Sequence, residues 1–316
     1  MREFSSVFVA GAATLVGRAV IRRLESIGIQ TIFGLDDQPD FTDSAAVDRF
    51  FTRTRPDAVI VTAGAAAGIG GNLARPADLM RDNLLVAAHV IPGAWRAGVK
   101  RLVYVASSCA YPKDAPQPLA VESLWTGRLE PTSAAYAVAK LAGLGLCDAY
   151  RRQYGVSFVT AIKADAFGPG DDFSPANAHV VGALIRRVHE AKSSGAASVE
   201  VWGSGMPRRE FIYVDDLADA LVFTLHHYDG DAPINIGTGV TTSICELAET
   251  IRVVTGYGGE LRFDTSRPDG MLFKGLDSAP LAALGWRPSW DFMSALRATY
   301  DWFVEHCDEA SAELTT

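Results

Sequence analysis

The stretch "VAGAATLVG", Val9 to Gly17, follows a short apolar run and opens an amphipathic one, and its reading decides the fold. An apolar segment that ends in glycine, with a second glycine in the first turn of a helix, is a context in which backbone amides and the helix dipole attract phosphate. Gly11 and Gly17 bracket Thr14, so the spacing is G-x-x-T-x-x-G and the middle glycine of the usual fingerprint is replaced. That glycine normally lets the backbone approach a pyrophosphate closely. Thr14 adds bulk there, and a hydroxyl that can meet a phosphate oxygen. Taken alone, the loop fits a nucleotide site and a plain strand–helix turn equally well.

Outward from the loop, strand and helix signals alternate. "SVFVAG", "TIFGLD", "DAVIVTAG" and "RLVYVASS" are apolar runs of strand length. "LVGRAVIRRLESIG", "DSAAVDRFFTRTRP" and "PADLMRDNLLVAAHVIPGAWRAGV" have helical spacing. Such alternation predicts an α/β fold, a Rossmann-type doubly wound parallel sheet covered on both faces. From about Phe173 the alternation loosens into the amphipathic "AHVVGALIRRVHEAK", the short strands "VEVWGSG" and "EFIYV", and the helix "DDLADALVFTLHHY", for which Asp215 or Asp216 offers a cap. The expected division is a dinucleotide-binding domain over 1–172, which receives part of 211–240, and a smaller interleaved α/β substrate domain over 173–316. The tail "DEASAELTT" is expected to fray.

Composition narrows the class. Hydrophobic residues make up 48% and charged residues 21% of the 316, enough for a substantial core. A net charge of -8 argues against nucleic acid or an anionic membrane as partner, since both ask for surplus Lys and Arg. No apolar run reaches the roughly 20 residues of a membrane span. The apolar part of "MREFSSVFVAGAA" is better used as the first core strand than as a signal peptide. Cys109, Cys147, Cys245 and Cys307 are scattered without a CxxC pair, which predicts free thiols and a cytoplasmic protein. His89, His189, His226, His227 and His306 have no ligand partners at metal spacing, so no metal is expected.

Two further features carry chemistry. "GLDD" ends the second strand, where Asp36, or less readily Asp37, can bind the adenine ribose hydroxyls of NAD and repel the extra phosphate of NADP; a helix cap or solvated turn is the alternative. "SSCAYP" is followed by "YAVAK", which puts Tyr136 and Lys140 on one helix face, four residues apart. An ammonium beside a phenol favours the phenolate, so the tyrosine pKa is expected to fall. Ser107 ends an apolar strand at the sheet edge where active sites gather.

The combination resembles the extended short-chain dehydrogenase/reductase superfamily. "SSCAYP", "LEPTSAAYAVAKLAG", "WGSGMPRREFIYVDDLADA", "NIGTG" and "FDTSRPDG" make it similar to the GDP-L-fucose synthase family, epimerase–reductases acting on GDP-4-keto-6-deoxymannose. The likeness runs from about Val7 to Trp302. It implies that Ser107, Tyr136 and Lys140 serve hydride and proton transfer at sugar carbon four, while Cys109 and His179 invert carbons beside the ketone. Gly11, Thr14, Leu15, Val16, Gly17 and Asp36, with Tyr136 and Lys140, are the expected cofactor contacts. Ser108, Asn177, Val180, Leu184, Arg187, Trp202, Arg209, Asp269 and Lys274 are the expected contacts of a GDP-sugar. The resemblance also implies a homodimer paired through long helices.

Departures from the family pattern cluster at the cofactor. Ala13 and Thr14 stand where a basic residue and a glycine are usual, Asp36 stands near the place of a phosphate-gripping arginine, and Ala65 takes the place of a lysine. Asp165, Gly170 and Phe273 replace the usual asparagine, histidine and arginine. Each lost charge-assisted phosphate contact costs about 1.5–3 kcal/mol, so two would weaken NADP on the order of a hundredfold. The expectation is NAD(H) preferred over NADP(H). It opens a second route, a redox-neutral GDP-mannose epimerase that keeps its NAD, and leaves a non-catalytic nucleotide sensor as a minor alternative.

Overall fold

The computed structural model describes residues 4–32, 38–175, 177–267 and 269–312, without the side chains of residue 32 and residues 307–312. The expectations placed on Asp36 and on the Cys307 thiol fall outside what is described. Among the described residues, no helix is long and apolar enough to cross a membrane.

β1 (Ser6–Ala10) is followed by α1 (Leu15–Ser26), β2 (Gln30–Ile32), α2 (Ser44–Thr54), β3 (Ala58–Val61), α3 (Ile69–Ala74), α4 (Pro76–Arg96) and β4 (Arg101–Ser107). Then come α5 (Ala134–Tyr154), β5 (Ser157–Lys163), β6 (Asp165–Phe167), α6 (Val180–Ser194), β7 (Ser198–Trp202), β8 (Arg208–Tyr213), α7 (Val214–His227) and β9 (Ile234–Ile236). β10 (Thr241–Ser243), α8 (Ile244–Thr255), β11 (Glu260–Asp264), β12 (Phe273–Lys274), α9 (Ala279–Ala283) and α10 (Phe292–Ala312) complete the order.

The main sheet runs β2-β1-β3-β4-β5-β9, with every pairing parallel. Its central strands are wholly buried, as the unbroken apolar runs require: every residue of β3 and of β4 is inside. α1 packs on α7 on one face, while α2, α4 and α5 pack together on the other. The chain leaves β1 toward β2 on one side and returns through β3 on the other. A crevice opens at the carboxyl ends of β1 and β3, where this reversal falls.

The second lobe is built around β8. β10 lies antiparallel on one edge and β12 parallel on the other, and β6 pairs parallel with Phe211–Tyr213. β11 pairs β7 separately, and α6, α8 and α10 pack beside them. Alternation along β8 serves two cores: Ile212 joins the cluster under the main sheet, while Phe211 and Tyr213 join the cluster around Val188, Leu247 and Leu296.

One local expectation is corrected. Neither Asp215 nor Asp216 caps α7, which begins at Val214 behind Tyr213 with no side-chain cap. Asp215 is drawn to Arg22 at 2.6 Å, and the buried Asp216 accepts from the amides of Ser289 and Trp290, so both carboxylates are spent on tertiary contacts. α10 extends through the first part of the tail to Ala312, and 313–316 lie outside the described residues.

Candidate active site

The glycine loop is a tight structural unit. Gly11 has φ +93°, and a Cβ there would lie 2.4 Å from the Ala63 amide nitrogen, so only glycine lets β1 turn beside β3. Gly17 is held just as closely, its missing Cβ falling 2.0 Å from the Gly11 carbonyl oxygen. Thr14 is the N-cap of α1: its hydroxyl accepts from the Gly17 amide at 2.9 Å and donates to the Gly11 carbonyl at 2.8 Å. A hydroxyl has one proton. With that proton on Gly11, Thr14 shapes the loop and has none to give a phosphate, contrary to the expectation from sequence. The amides of Leu15 and Val16 have no protein acceptor among the described residues and open toward the cleft. This cradle fits a dinucleotide diphosphate.

Beside the loop is a cavity of about 890 Å³, lined by Thr14, Leu15, Val16, Tyr136, Lys140 and His179 among others. With Asn177, seven of the site residues expected from sequence therefore share one space. Ser107 ends β4 in register with Lys163 of β5, which puts both at the carboxyl edge of the sheet. The Ser107 hydroxyl accepts from the Cys109 amide at 3.3 Å and also hydrogen-bonds Tyr136. Lys140 is buried, its Nζ 3.5 Å from the Val105 carbonyl and 5.8 Å from the centre of the Tyr136 ring.

The Tyr136–Lys140 pair titrates against expectation. Burial pushes the Tyr136 phenol well above its ordinary value, the Cys109 charge adds to this, and the bond to Ser107 offsets only part. Lys140 is itself pushed down to about 7, chiefly by burial and then by Lys163. A lysine that sheds its proton near neutrality cannot supply the full charge expected to favour the phenolate. In this state Tyr136 is a protonated acid at neutral pH.

Cys109 and His179, far apart in sequence, meet one group of charges. Lys274 Nζ lies 2.9 Å from Asp165 Oδ1, and Lys163 and Arg209 also act on Asp165. Cys109 acts electrostatically on Lys163, Lys274 and Arg209. His179, at the N-cap of α6, feels Lys163, Asp165 and Lys274. Desolvation, then the Lys163 charge, holds its imidazole below the ordinary value; the ring is exposed to the cleft, so water weakens the first effect. Its neutral form is ready to accept a proton.

The expected sugar-nucleotide contacts divide. Trp202 is half exposed with the Arg187 guanidinium 4.7 Å and that of Arg267 4.8 Å from its ring centre, a cationic aromatic surface. Val180 is half-buried at the start of α6 and Asn177 lines the main cavity. Leu184 is only 3% exposed inside the second core, so it supports α6 from behind and has almost no surface to offer a ligand. Both Asp269 oxygens are taken by Ser204, at 2.7 Å from its amide and 2.8 Å from its hydroxyl, which braces the turn after Trp202. Arg209 donates to the Arg208 and Asp269 carbonyls. Ser108 is buried with its hydroxyl unpartnered, and Lys274 belongs to the Asp165 cluster.

Sequence reading passed over Lys163. "SFVTAIK" has the same strand length and apolar character as "RLVYVASS", and extending the sheet by that strand puts its last residue beside Ser107. Asn83 was missed as well: it is buried, and its side-chain amide donates to the Ala65 carbonyl at 2.8 Å, fixing the cleft wall after β3.

A glycine-cradled helix N-terminus and a Tyr–Lys pair at the edge of a parallel sheet define a nicotinamide-dependent enzyme, and the chain belongs to the NAD dependent epimerase/dehydratase family, whose model matches residues 7–237. Within that family it groups with the GDP-L-fucose synthases. GDP-L-fucose synthase 1 of Arabidopsis thaliana is 44% identical over 96% of this chain and 94% of its own length. Among solved structures, a GDP-6-OMe-4-keto-L-xylo-heptose reductase from C. jejuni superposes with a TM-score of 0.91 at 31% identity, covering 97% of this chain and 99% of that one. A GDP-L-fucose synthetase from Naegleria fowleri, bound to NADP, gives 0.88 at 27% identity over 98% of this chain and 96% of that one. The chain is an enzyme, and its cofactor is of the NAD(P) type.

Proposed function

We propose that the protein epimerises and reduces a GDP-4-keto-hexose, as GDP-L-fucose synthases do. The observation that carries this is the convergence of Cys109 and His179 on one set of charges beside the Ser107–Tyr136–Lys140 edge. A ketone acidifies the neighbouring C–H bonds, so inversion needs one group to remove a proton from one face and another to deliver one to the opposite face. A thiol and an imidazole both exchange protons near neutral pH. Lys163 and Lys274, which act electrostatically on Cys109 and His179, supply positive charge suited to an enolate oxygen.

The nicotinamide, when bound, supplies the hydride for carbon four. Tyr136, protonated and bonded to Ser107, gives the proton to the carbonyl oxygen. Lys140 underlies the tyrosine and can replace its proton. Trp202 with Arg187 and Arg267 forms a surface suited to a nucleotide base and its diphosphate.

Incubation with GDP-4-keto-6-deoxymannose in deuterated water, followed by NMR, tests the reading. Deuterium at carbons three and five with stoichiometric loss of reduced cofactor is expected. Absence of solvent label overturns it. Label without net cofactor loss indicates the redox-neutral route.

The preference for NAD(H) rests on Ala13 and on Asp36, and a larger kcat/KM with NADH than with NADPH is the expected result. Against it stands the Naegleria fowleri relative, described as bound to NADP. A homodimer is proposed through α4 and α5, where Trp95 stacks on the exposed Tyr154 at 4.1 Å; sedimentation at the monomer mass would overturn it. The free thiols Cys109, Cys147 and Cys245 favour a cytoplasmic setting.

A further inference from the structure

We propose that Arg18 grips the cofactor diphosphate, from a seat that Gly170 leaves open for it. This rests on the reading of the cleft as a dinucleotide site and assigns the cation that site needs.

Arg18 stands in the first turn of α1, its amide bonded to the Thr14 carbonyl at 3.0 Å. Its side chain is exposed, lines the same cavity as Thr14, Leu15 and Lys140, and reaches across to donate from Nη2 to the Gly170 carbonyl at 3.2 Å. The neighbouring arginines on this helix are committed to carboxylates: Arg22 to Asp215 and Arg23 to Asp219, each at 2.6 Å. Arg18 pairs with no carboxylate among the described residues, and most of its guanidinium N–H groups are unspent.

The loop itself lacks a substitute. Ala13 has no charge, and the Thr14 proton is committed to Gly11. Asp172 lines the same cavity and opposes an anion there, while burial pushes Asp171 up to about 7 and leaves it only partly charged. A diphosphate resting on the Leu15 and Val16 amides therefore calls for a nearby cation, and a planar fork matches its oxygens. Arg18 shares the first turn of α1 with those amides.

Gly170 explains how the guanidinium fits. Its φ is +83°, and a Cβ built there would already sit 3.6 Å from Arg18 Nε. That distance is an ordinary contact and the positive φ is what favours glycine, so the guanidinium rests against bare backbone here. The bare glycine and the arginine thus form one device spanning the two walls of the cleft.

Direct binding of NADH and of ADP to the intact protein, by calorimetry, tests the assignment without turnover. Arg18→Ala and Arg18→Gln should weaken both ligands about tenfold to a hundredfold, with Arg18→Lys in between. The wild-type affinity should fall more steeply with salt than that of the neutral variants. Melting temperatures without ligand should be unchanged, since the residue is exposed. If the wild type binds NADH or NADPH and the neutral variants match it within about twofold, Arg18 is not the grip. If the wild type binds neither dinucleotide, the cofactor reading falls and this assignment with it.

Discussion

Lys140 and Lys274 are both lysines drawn out of water, at 6% and 9% exposure, and their charges go opposite ways. Lys140, beside Tyr136, is pushed down to about 7 by burial and then by the Lys163 charge. Lys274, beside Cys109, suffers the same desolvation, yet Asp165 at 2.9 Å holds it above the ordinary value. Burial alone removes a proton; burial with a partner keeps it. One lysine thereby exchanges its proton near neutrality while the other keeps it, as the proposed joining of proton transfer to enolate stabilisation asks.

Separating the two ends should produce the largest effects. Tyr136→Phe should lower reduction by about 10²–10⁴-fold while solvent deuterium still enters the sugar. Conversely, Cys109→Ser and His179→Gln should each cut deuterium entry by a similar factor. Loss of both activities in every variant would show that the ends are not separable. Next in size, Asp165→Asn leaves Lys274 buried without its partner. Chemical denaturation should register a loss of about 3–5 kcal/mol, the cost of breaking a buried pair by removing one member.

The smallest effect is the most diagnostic for Lys140. Its folded pKa, about 7, is below the ordinary 10.5, so between those values the unfolded chain binds a proton that the folded chain does not. Stability from this group therefore rises with pH through that window, and below about 7 the full cost of burying the charge applies. Lys140→Met removes that cost. Its melting temperature should exceed the wild type's by a few degrees at pH 7, with the gap closing toward pH 10.5. An equal gap at both values would mean that Lys140 keeps its charge in the folded state.

The main sheet was legible because its strands are apolar on both faces and its helices carry the opposing period. Ser107, Tyr136 and Lys140 followed from a strand end and an i,i+4 pair. The direction of the Tyr136 and Lys140 shifts was not legible, since it depends on how deeply the two are buried. Spacing says only that they share a face. Leu184 and Asp269 were expected as ligand contacts from the family resemblance, but the fold turns Leu184 inward and spends Asp269 on Ser204. Thr14 shows the same limit: a hydroxyl in a phosphate loop looks available until its own carbonyl partner is seen.

β8 sends Ile212 to one apolar cluster and Phe211 and Tyr213 to the other, so a single strand is a wall of both. Neither half can melt without stripping a side from its neighbour. Heating should therefore give one calorimetric transition, and amide exchange along Arg208–Tyr213 should proceed only through global opening. Hinge motion, where it occurs, must bend around this strand as a fixed axle.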